Sequence, residues 1–197
     1  EDDLTYSASV DGNASVDVTG TELTVTPDVD YNGSITVSVN VTDGEYVDSQ
    51  DFALTVNAVN DAPVSADVSS TTDEDTSVEI TLSGSDIDSS DLSYLVDENS
   101  SNGDVSITDN IATFTPDLDF NGTTTFTYLV TDGELTSSSA TVTIIVNAVN
   151  DAPVLTTIDD QVIDEDGVLS LTLSGSDVDE DDLTYSASVD GNAAIDV

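Results

Sequence analysis

An eight-residue string, NAVNDAPV, fills Asn57 to Val64 and returns unchanged at Asn147 to Val154, an offset of 147 − 57 = 90 residues. Other landmarks keep nearly the same step. TPDVDYNG from Thr26 pairs with TPDLDFNG from Thr115, and TDGE from Thr42 pairs with TDGE from Thr131, each 89 residues later. EDDLTYSASVDGNASVDV at Glu1 to Val18 comes back as EDDLTYSASVDGNAAIDV at Glu180 to Val197, 179 residues on, or two steps. Such a chain is a tandem array. The step exceeds the roughly 20–50 residues of solenoid repeats and suits one small domain per repeat. The phase predicts the C-terminal part of one repeat at residues 1–61, a complete repeat at 62–151 and the N-terminal part of another at 152–197.

Within the complete repeat the apolar residues alternate with polar ones and follow no helical period. Val78, Ile80 and Leu82 share one face; so do Leu92, Tyr94 and Val96; Val105 and Ile107; Ala112 and Phe114; Phe126, Tyr128 and Val130; and Val142, Ile144 and Val146. With Val64 to Val68 these make seven predicted strands. Between them stand turn residues, Gly84, Asn102-Gly103, Asp109-Asn110, Asn121-Gly122 and Asp132-Gly133, which accept positive φ or bond their own backbone. Seven short strands without a helix predict an immunoglobulin-like β-sandwich with its termini at opposite ends, a shape suited to stringing. The eight residues Thr123 to Val130 span about 27 Å at ~3.4 Å each, so a domain with its loops is roughly 40 Å long.

The 42 Asp and Glu residues face no Lys, Arg or His, a formal charge of −42 over 197 residues. Salt bridges are therefore impossible, and water, screening salt or bound metal must offset the charge. Nucleic acid and anionic membrane faces are repelled. A hydrophobic content of 37% in an alternating pattern supports packed cores in spite of that charge. Cysteine is absent, which removes disulfides, thiol catalysis and thiolate zinc sites. No apolar run approaches the ~20 residues of a membrane span, so no insertion of this segment is expected. The lack of trypsin-type cleavage sites and the strong acidity suit exposure outside a cell.

Many carboxylates sit in loops at strand ends, where oxygens converge. In the complete repeat these are Asp73-Glu74-Asp75, Asp86-Ile87-Asp88, Asp117-Leu118-Asp119 with Asn121, Asp132 before Gly133, and Asn147, Asn150 and Asp151 in the junction. Oxygen ligands without nitrogen or sulfur select calcium, magnesium or manganese. Calcium is favoured because it accepts about 6 to 8 oxygens in flexible geometry, Asn and backbone carbonyls included.

With these motifs in hand the chain resembles bacterial cadherin-like tandem repeats. Asn147-Ala148-Val149-Asn150-Asp151-Ala152-Pro153 lies without gaps over the cadherin linker pattern D-x-N-D-N-A-P. Val130-Thr131-Asp132-Gly133 followed by Thr141 to Val146 is similar to the cadherin A-T-D-G turn and final strand. Asp86-Ile87-Asp88 before Leu92-Ser93-Tyr94 resembles the D-x-D loop, and Glu74 stands where the first-strand glutamate is expected. The resemblance implies an all-β chain of seven-stranded immunoglobulin/cadherin-like Greek-key sandwiches joined end to end. It also implies calcium at the junctions, bound by loops from both neighbours. The first junction would then use Asp30, Asn32, Asn57, Asn60 and Asp61 with Asp86, Asp88 and Asp132. The second would use Glu74, Asp119, Asn121, Asn147, Asn150 and Asp151 with Asp177 and Asp179. The chain departs from the pattern where Asn57 and Asn147 replace the first linker Asp, Val59 and Val149 the next ligand, and Asn32 and Asn121 a glutamate. Fewer charged ligands imply one to three ions per junction, with none inside the sandwiches.

Asp177-Val178-Asp179-Glu180-Asp181 mimics the start of an EF-hand loop but lacks the glycine and glutamate that loop requires, with Asp182 and Ser188 in their places. Asn13, Asn32, Asn40, Asn99 and Asn121 begin N-x-S/T sequons in a chain already rich in Ser and Thr. Without His, Lys, Arg or Cys the usual bases and nucleophiles are missing, and no enzyme is expected. The expected role is that of an extracellular structural spacer or stalk, part of an adhesin, filament or matrix protein. Its partners are neighbouring repeats, other copies in a filament, or surface polysaccharide. A calcium-assisted carbohydrate-binding module is the alternative, with Tyr46 able to face a sugar. The strands missing ahead of Leu4 are homologous to Asp151 through Asp179, which leaves open both head-to-tail completion by another copy and a plain cut from a continuous polymer.

Overall fold

Side chains that alternate apolar with polar give strands, and the computed structural model contains no helix among its described residues, 3–189, 191, 194 and 195. Glu1, Asp2, Asp190, Asn192, Ala193, Asp196 and Val197, which belong to the two near-identical segments, lie outside the described residues. The first strands are β1 (Thr5–Val10), β2 (Ala14–Thr19), β3 (Glu22–Pro27), β4 (Gly33–Thr42) and β5 (Val47–Val56). Then come β6 (Val64–Ala66), β7 (Val68–Asp73), β8 (Val78–Thr81), β9 (Ser83–Ser85), β10 (Ser93–Glu98), β11 (Gly103–Thr108), β12 (Ile111–Pro116), β13 (Gly122–Thr131) and β14 (Ala140–Asn147). Only β15 (Val154–Leu155) and β16 (Gly175–Ser176) follow among the described residues.

Two compact units result, one of Glu1–Val64, Gly84–Ser93 and Val130–Ser138, the other of Ser65–Ser83, Tyr94–Leu129 and Ser139–Val197. This division does not run along the repeat boundaries. The linker before Val64, the Asp86 loop and the Asp132 loop group with the strands of residues 1–56.

The second unit holds the sandwich predicted from the alternation. One sheet runs β10-β13-β14-β7 and the other β11-β12-β8. β7 lies parallel to β14, from Val68 opposite Val142 to Asp73 opposite Asn147, and the pairs β13–β14, β11–β12 and β12–β8 are antiparallel. Ile80, Ala112 and Phe114 from one sheet and Phe126, Tyr128, Val142 and Ile144 from the other are buried. Full burial of such a side chain contributes about 1.5–3 kcal/mol. Gly103 is required where it stands, because a Cβ there would meet Thr115 O at 2.4 Å and the Phe114 ring at 2.7 Å.

Two predicted strands are each broken in two. The stretch Val64 to Val68 is β6 followed by a longer β7, and the strand through Val78, Ile80 and Leu82 divides into β8 and β9. The breaks let one chain serve two sheets. β6 pairs with β9, while Leu82 N–H turns to Asn110 O at 2.8 Å. The buried Tyr128 hydroxyl lies 2.6 Å from Ala66 O and 2.8 Å from Ser83 O, and accepts Ser83 N–H at 3.2 Å, so it secures both new strands.

In the first unit β1-β4-β5 and β2-β3 form two small sheets, with Ile35 and Val37 of β4 buried. These five strands match β10 to β14 in order. In the region after Asp151, β15 and β16 pair through Val154 with Ser176 and Leu155 with Gly175. Residues 156–174 form no strand, and Val162 and Val168 are almost fully exposed. β8 pairs with β12 and β7 with β14, and among the described residues no such strand lies against residues 156–174.

Candidate metal centres

The first acidic set lies within the first unit. Asp86 starts an Asx turn in which its Oδ1 accepts the N–H groups of Asp88 at 2.7 Å and Ser89 at 2.8 Å. That turn fixes the loop and leaves Asp86 Oδ2 buried without a hydrogen-bond partner. Asp88 Oδ2 accepts Asp61 N–H at 2.8 Å. The Asp132 loop is built similarly: Oδ1 accepts Glu134 and Leu135 N–H, each at 2.7 Å, and Oδ2 accepts the Asn60 side-chain amide at 2.7 Å. Asp30, in the left-handed region at φ 61°, lines a cleft of about 300 Å³ with Asn32, Asn57, Asp61 and Asp88. Asp30 and Asp61 also line a neighbouring cleft with Asp86. All eight residues expected at the first junction therefore fall in one neighbourhood.

The second set lies within the second unit and repeats this frame. Asp177 Oδ1 accepts Asp179 N–H at 3.0 Å, and Asp179 Oδ2 accepts Asp151 N–H at 2.6 Å. Asn150 bonds Asp151 O at 2.9 Å as Asn60 bonds Asp61 O at 3.2 Å, and Asp119 takes φ 56° as Asp30 takes 61°. Glu74 has no counterpart in the first set. It is 4% exposed; its Oε1 accepts Val149 N–H, and its Oε2 lies 3.4 Å from the Asn121 amide. One carboxylate oxygen from each of Glu74, Asp151 and Asp179 lies within 4.8 Å of the others, and the same holds for Asp75, Asp119 and Asp151. Asn147 is tied down beside the set, its side-chain amide donating to Asp73 Oδ1 at 3.0 Å and its carbonyl accepting Glu74 N–H at 2.9 Å. Asp75 was not among the expected ligands. Its signal was adjacency: it follows Glu74 at a left-handed position, φ 57°, and its Oδ1 accepts Asp119 N–H at 3.1 Å.

Charge is unbalanced in both places. Burial first, then Asp30, Asp88 and Asp86, hold the Asp61 carboxyl above its ordinary value. Burial first, then Asp119, Asp179, Asp75 and Glu74, do the same for Asp151. Asp132 is held below its ordinary value by the Asn60 amide first and by Leu135 and Glu134 N–H. The donors fit a hard cation. Two oxygens bound to one calcium at about 2.3–2.6 Å lie no more than about 5.2 Å apart, which the trios satisfy. The buried, unpartnered Asp86 Oδ2 lacks the positive partner that such an ion supplies.

Residues 60–145 match the family model described as bacterial Ig domain. Among solved structures, domains EC1-2 of human protocadherin-24 are 18% identical over 74% of this chain and 82% of that one, with a TM-score of 0.52. Domains EC1-2 of human mucin-like protocadherin are 22% identical over 73% and 85%, with a TM-score of 0.45. An endo-fucoidan hydrolase of glycoside hydrolase family 107 is 20% identical over 74% of this chain, with a TM-score of 0.35, and the chain spans 24% of its length. The first of these carries the fold alone, and the other two scores are too low to carry an argument. No curated protein matches the chain.

Proposed function

We propose that this chain, which carries a bacterial Ig-like repeat of cadherin-like fold, is a spacer segment of an extracellular surface protein whose junctions calcium stiffens. One observation carries the reading: the same oxygen-only frame occurs twice, with Asp88 on Asp61 N–H and Asp179 on Asp151 N–H, each beside further carboxylates and no cation. In the first set calcium would be held by Asp30, Asp61, Asp86, Asp88 and Asp132 with Asn32, Asn57 and Asn60. In the second it would be held by Glu74, Asp75, Asp119, Asp151, Asp177 and Asp179 with Asn121, Asn147 and Asn150.

Like charges ~5 Å apart in water cost roughly 0.8 kcal/mol per pair, so these loops splay without a cation and close with one. With affinities of ~10⁻⁴ to 10⁻³ M, usual for extracellular modules, a hundredfold excess of calcium stabilises each occupied site by about 2.7 kcal/mol. The family match and the cadherin-like fold favour a non-catalytic domain at a cell surface. No helix among the described residues is long and apolar enough to cross a membrane.

Calorimetric titration of calcium into the chain and into Asp88→Asn and Asp179→Asn variants is the test. Each variant is expected to weaken one class of site by about tenfold, the loss of one charged contact. Absence of calcium-dependent heat, or magnesium binding as tightly as calcium, overturns the reading.

A further inference from the structure

Asparagine is followed by glycine at three places, Asn32-Gly33, Asn102-Gly103 and Asn121-Gly122. At such a pair no Cβ shields the glycine nitrogen, which attacks the side-chain carbonyl carbon of the asparagine and makes that residue labile. A bond forms between the glycine nitrogen and Cγ, the bond from Cγ to Nδ2 breaks, ammonia leaves, and a succinimide ring closes. Water then opens the ring at either carbonyl to leave an aspartate or an isoaspartate, each with one new negative charge at neutral pH. The balance needs only water, with no oxidant, metal or enzyme.

The fold holds the three pairs differently. Asn102 is half-buried and pinned: its Oδ1 accepts the Ser101 hydroxyl at 2.8 Å and the Thr124 hydroxyl at 3.4 Å, its N–H donates to Ser100 Oγ at 3.2 Å, and its carbonyl accepts Asp117 N–H at 3.1 Å. With Thr115 O and the Phe114 ring packed against Gly103, the amide has no room to swing over the glycine nitrogen. Asn121 is exposed, and its one side-chain hydrogen bond among the described residues is long, 3.4 Å to Glu74 Oε2. A Cβ at Gly122 would meet nothing nearer than the Phe120 ring at 3.6 Å, so the ground beside that nitrogen is open. Asn32 is exposed as well, has no side-chain hydrogen bond among the described residues, and has only the far end of the Tyr31 side chain close to its glycine. The same exposure thus recurs in both units.

We propose that Asn32 and Asn121 are modification sites at which the chain converts its own amide to a carboxylate, and that the fold keeps Asn102 an amide. Both converted residues line the acidic clefts, Asn121 with Glu74, Asp119 and Asp179, and Asn32 with Asp30, Asp61 and Asp88. At Asn121 the reaction removes the N–H that Glu74 Oε2 accepts and sets a carboxylate in its place. Each set gains a charged oxygen where it holds a neutral one. The effect on metal rests on the calcium reading: an aged chain holds calcium more tightly than a fresh one, because the ion offsets the added charge.

The 197-residue chain is aged in warm, mildly alkaline buffer with chelator, once folded and once in concentrated guanidinium chloride, and peptide mapping by mass spectrometry follows each amide as it becomes an acid. In denaturant the three sites should convert at similar rates. In the folded chain Asn32 and Asn121 should keep most of that rate, and Asn102 should fall roughly tenfold or more behind, since it reacts only when the strand ends around it open. Asn121→Gln, whose longer side chain closes the ring less readily, should stay an amide. Calcium titration then compares the fresh chain, the aged chain and Asn121→Asp, and the last should bind roughly tenfold more tightly at the second set, the difference between a charged contact and a neutral one. The aged chain should shift towards it. Conversion of Asn102 as fast as Asn121 in the folded chain, or an amide still intact at Asn32 or Asn121 once the denatured chain has converted, overturns the proposal. Calcium affinity that ageing leaves unchanged overturns the effect assigned to the new carboxylates. Conversion at Asn32 and Asn121 while neither fresh nor aged chain gives calcium-dependent heat upholds the modification and rejects only the calcium reading.

Discussion

Around Asp61 the linker is met by the Asp132 loop through Asn60, whereas around Asp151 it is met by a buried glutamate, Glu74, through Val149 N–H. What the two places share is short in sequence: a linker Asp whose N–H is held by the second Asp of a D-x-D loop. The frame therefore comes with the linker and the D-x-D loop alone. The first set adds the carboxylate of the Asp132 loop, and the second adds those of Glu74, Asp75 and Asp119. A cluster of this kind is assembled from parts, and each part is separately removable.

The largest expected difference between the two regions comes from Glu74→Ala. It strands Val149 N–H and removes a buried carboxylate, at a cost of about 1.5–3 kcal/mol, the worth of a hydrogen bond to a charged group. Thermal unfolding should register this loss, and calcium titration should lose affinity in the second set alone. Equal weakening of both sets would erase the distinction. A smaller effect is expected from Asp132→Asn, which exchanges a charged acceptor of the Asn60 amide for a neutral one and should loosen the first set. Hydrogen exchange at Asn60 and Asp61 would report it, and protection unchanged there would show that the Asp132 loop does not brace the linker.

The smallest effect concerns pH without calcium. The carboxyls of Asp61 and Asp151 are held above their ordinary value of 3.8, so the closed form binds their protons more tightly than the open one. Closure is favoured below that raised range and is lost as pH rises through it. Asp132 is held below 3.8, so its contribution is present above its ordinary value and fades as pH falls through the lowered one. The two trends oppose each other in the first set and only the first operates in the second. Chemical shifts followed from pH 3 to 6, across the ordinary carboxylate range near 4, should show the steeper opening around Asp151. A steeper change around Asp61 would contradict the assignment.

Alternation was enough to read the sandwich, because the faces carrying Ile80, Phe114, Phe126 and Ile144 have partners on both sides. It did not reveal the breaks at β6–β7 and β8–β9. There the apolar rhythm runs on through Leu82 while the hydrogen bonds change partner, and side-chain periodicity carries no record of that change. Leu169 and Leu171 carry the same alternation, yet residues 156–174 form no strand, since a strand needs a neighbour as well as a pattern. The linker and D-x-D residues were legible as motifs. Asp75 was harder to see, because it enters the second set through a left-handed backbone position and its bond to Asp119. Asn147 carried the linker motif but turned its amide to Asp73, a pairing that only the parallel register of β7 and β14 creates.

Calcium, on the function proposed above, converts these junctions from repelling loops into fixed ones. Small-angle scattering of a longer polypeptide with complete repeats flanking both linkers, in calcium and after chelation, tests it most directly. The expected result is a stiff particle in calcium whose maximum dimension falls and whose flexibility rises when calcium is withdrawn, with Asp86→Asn and Asp88→Asn together reproducing that change at the first linker only. Profiles that superimpose with and without calcium would contradict it.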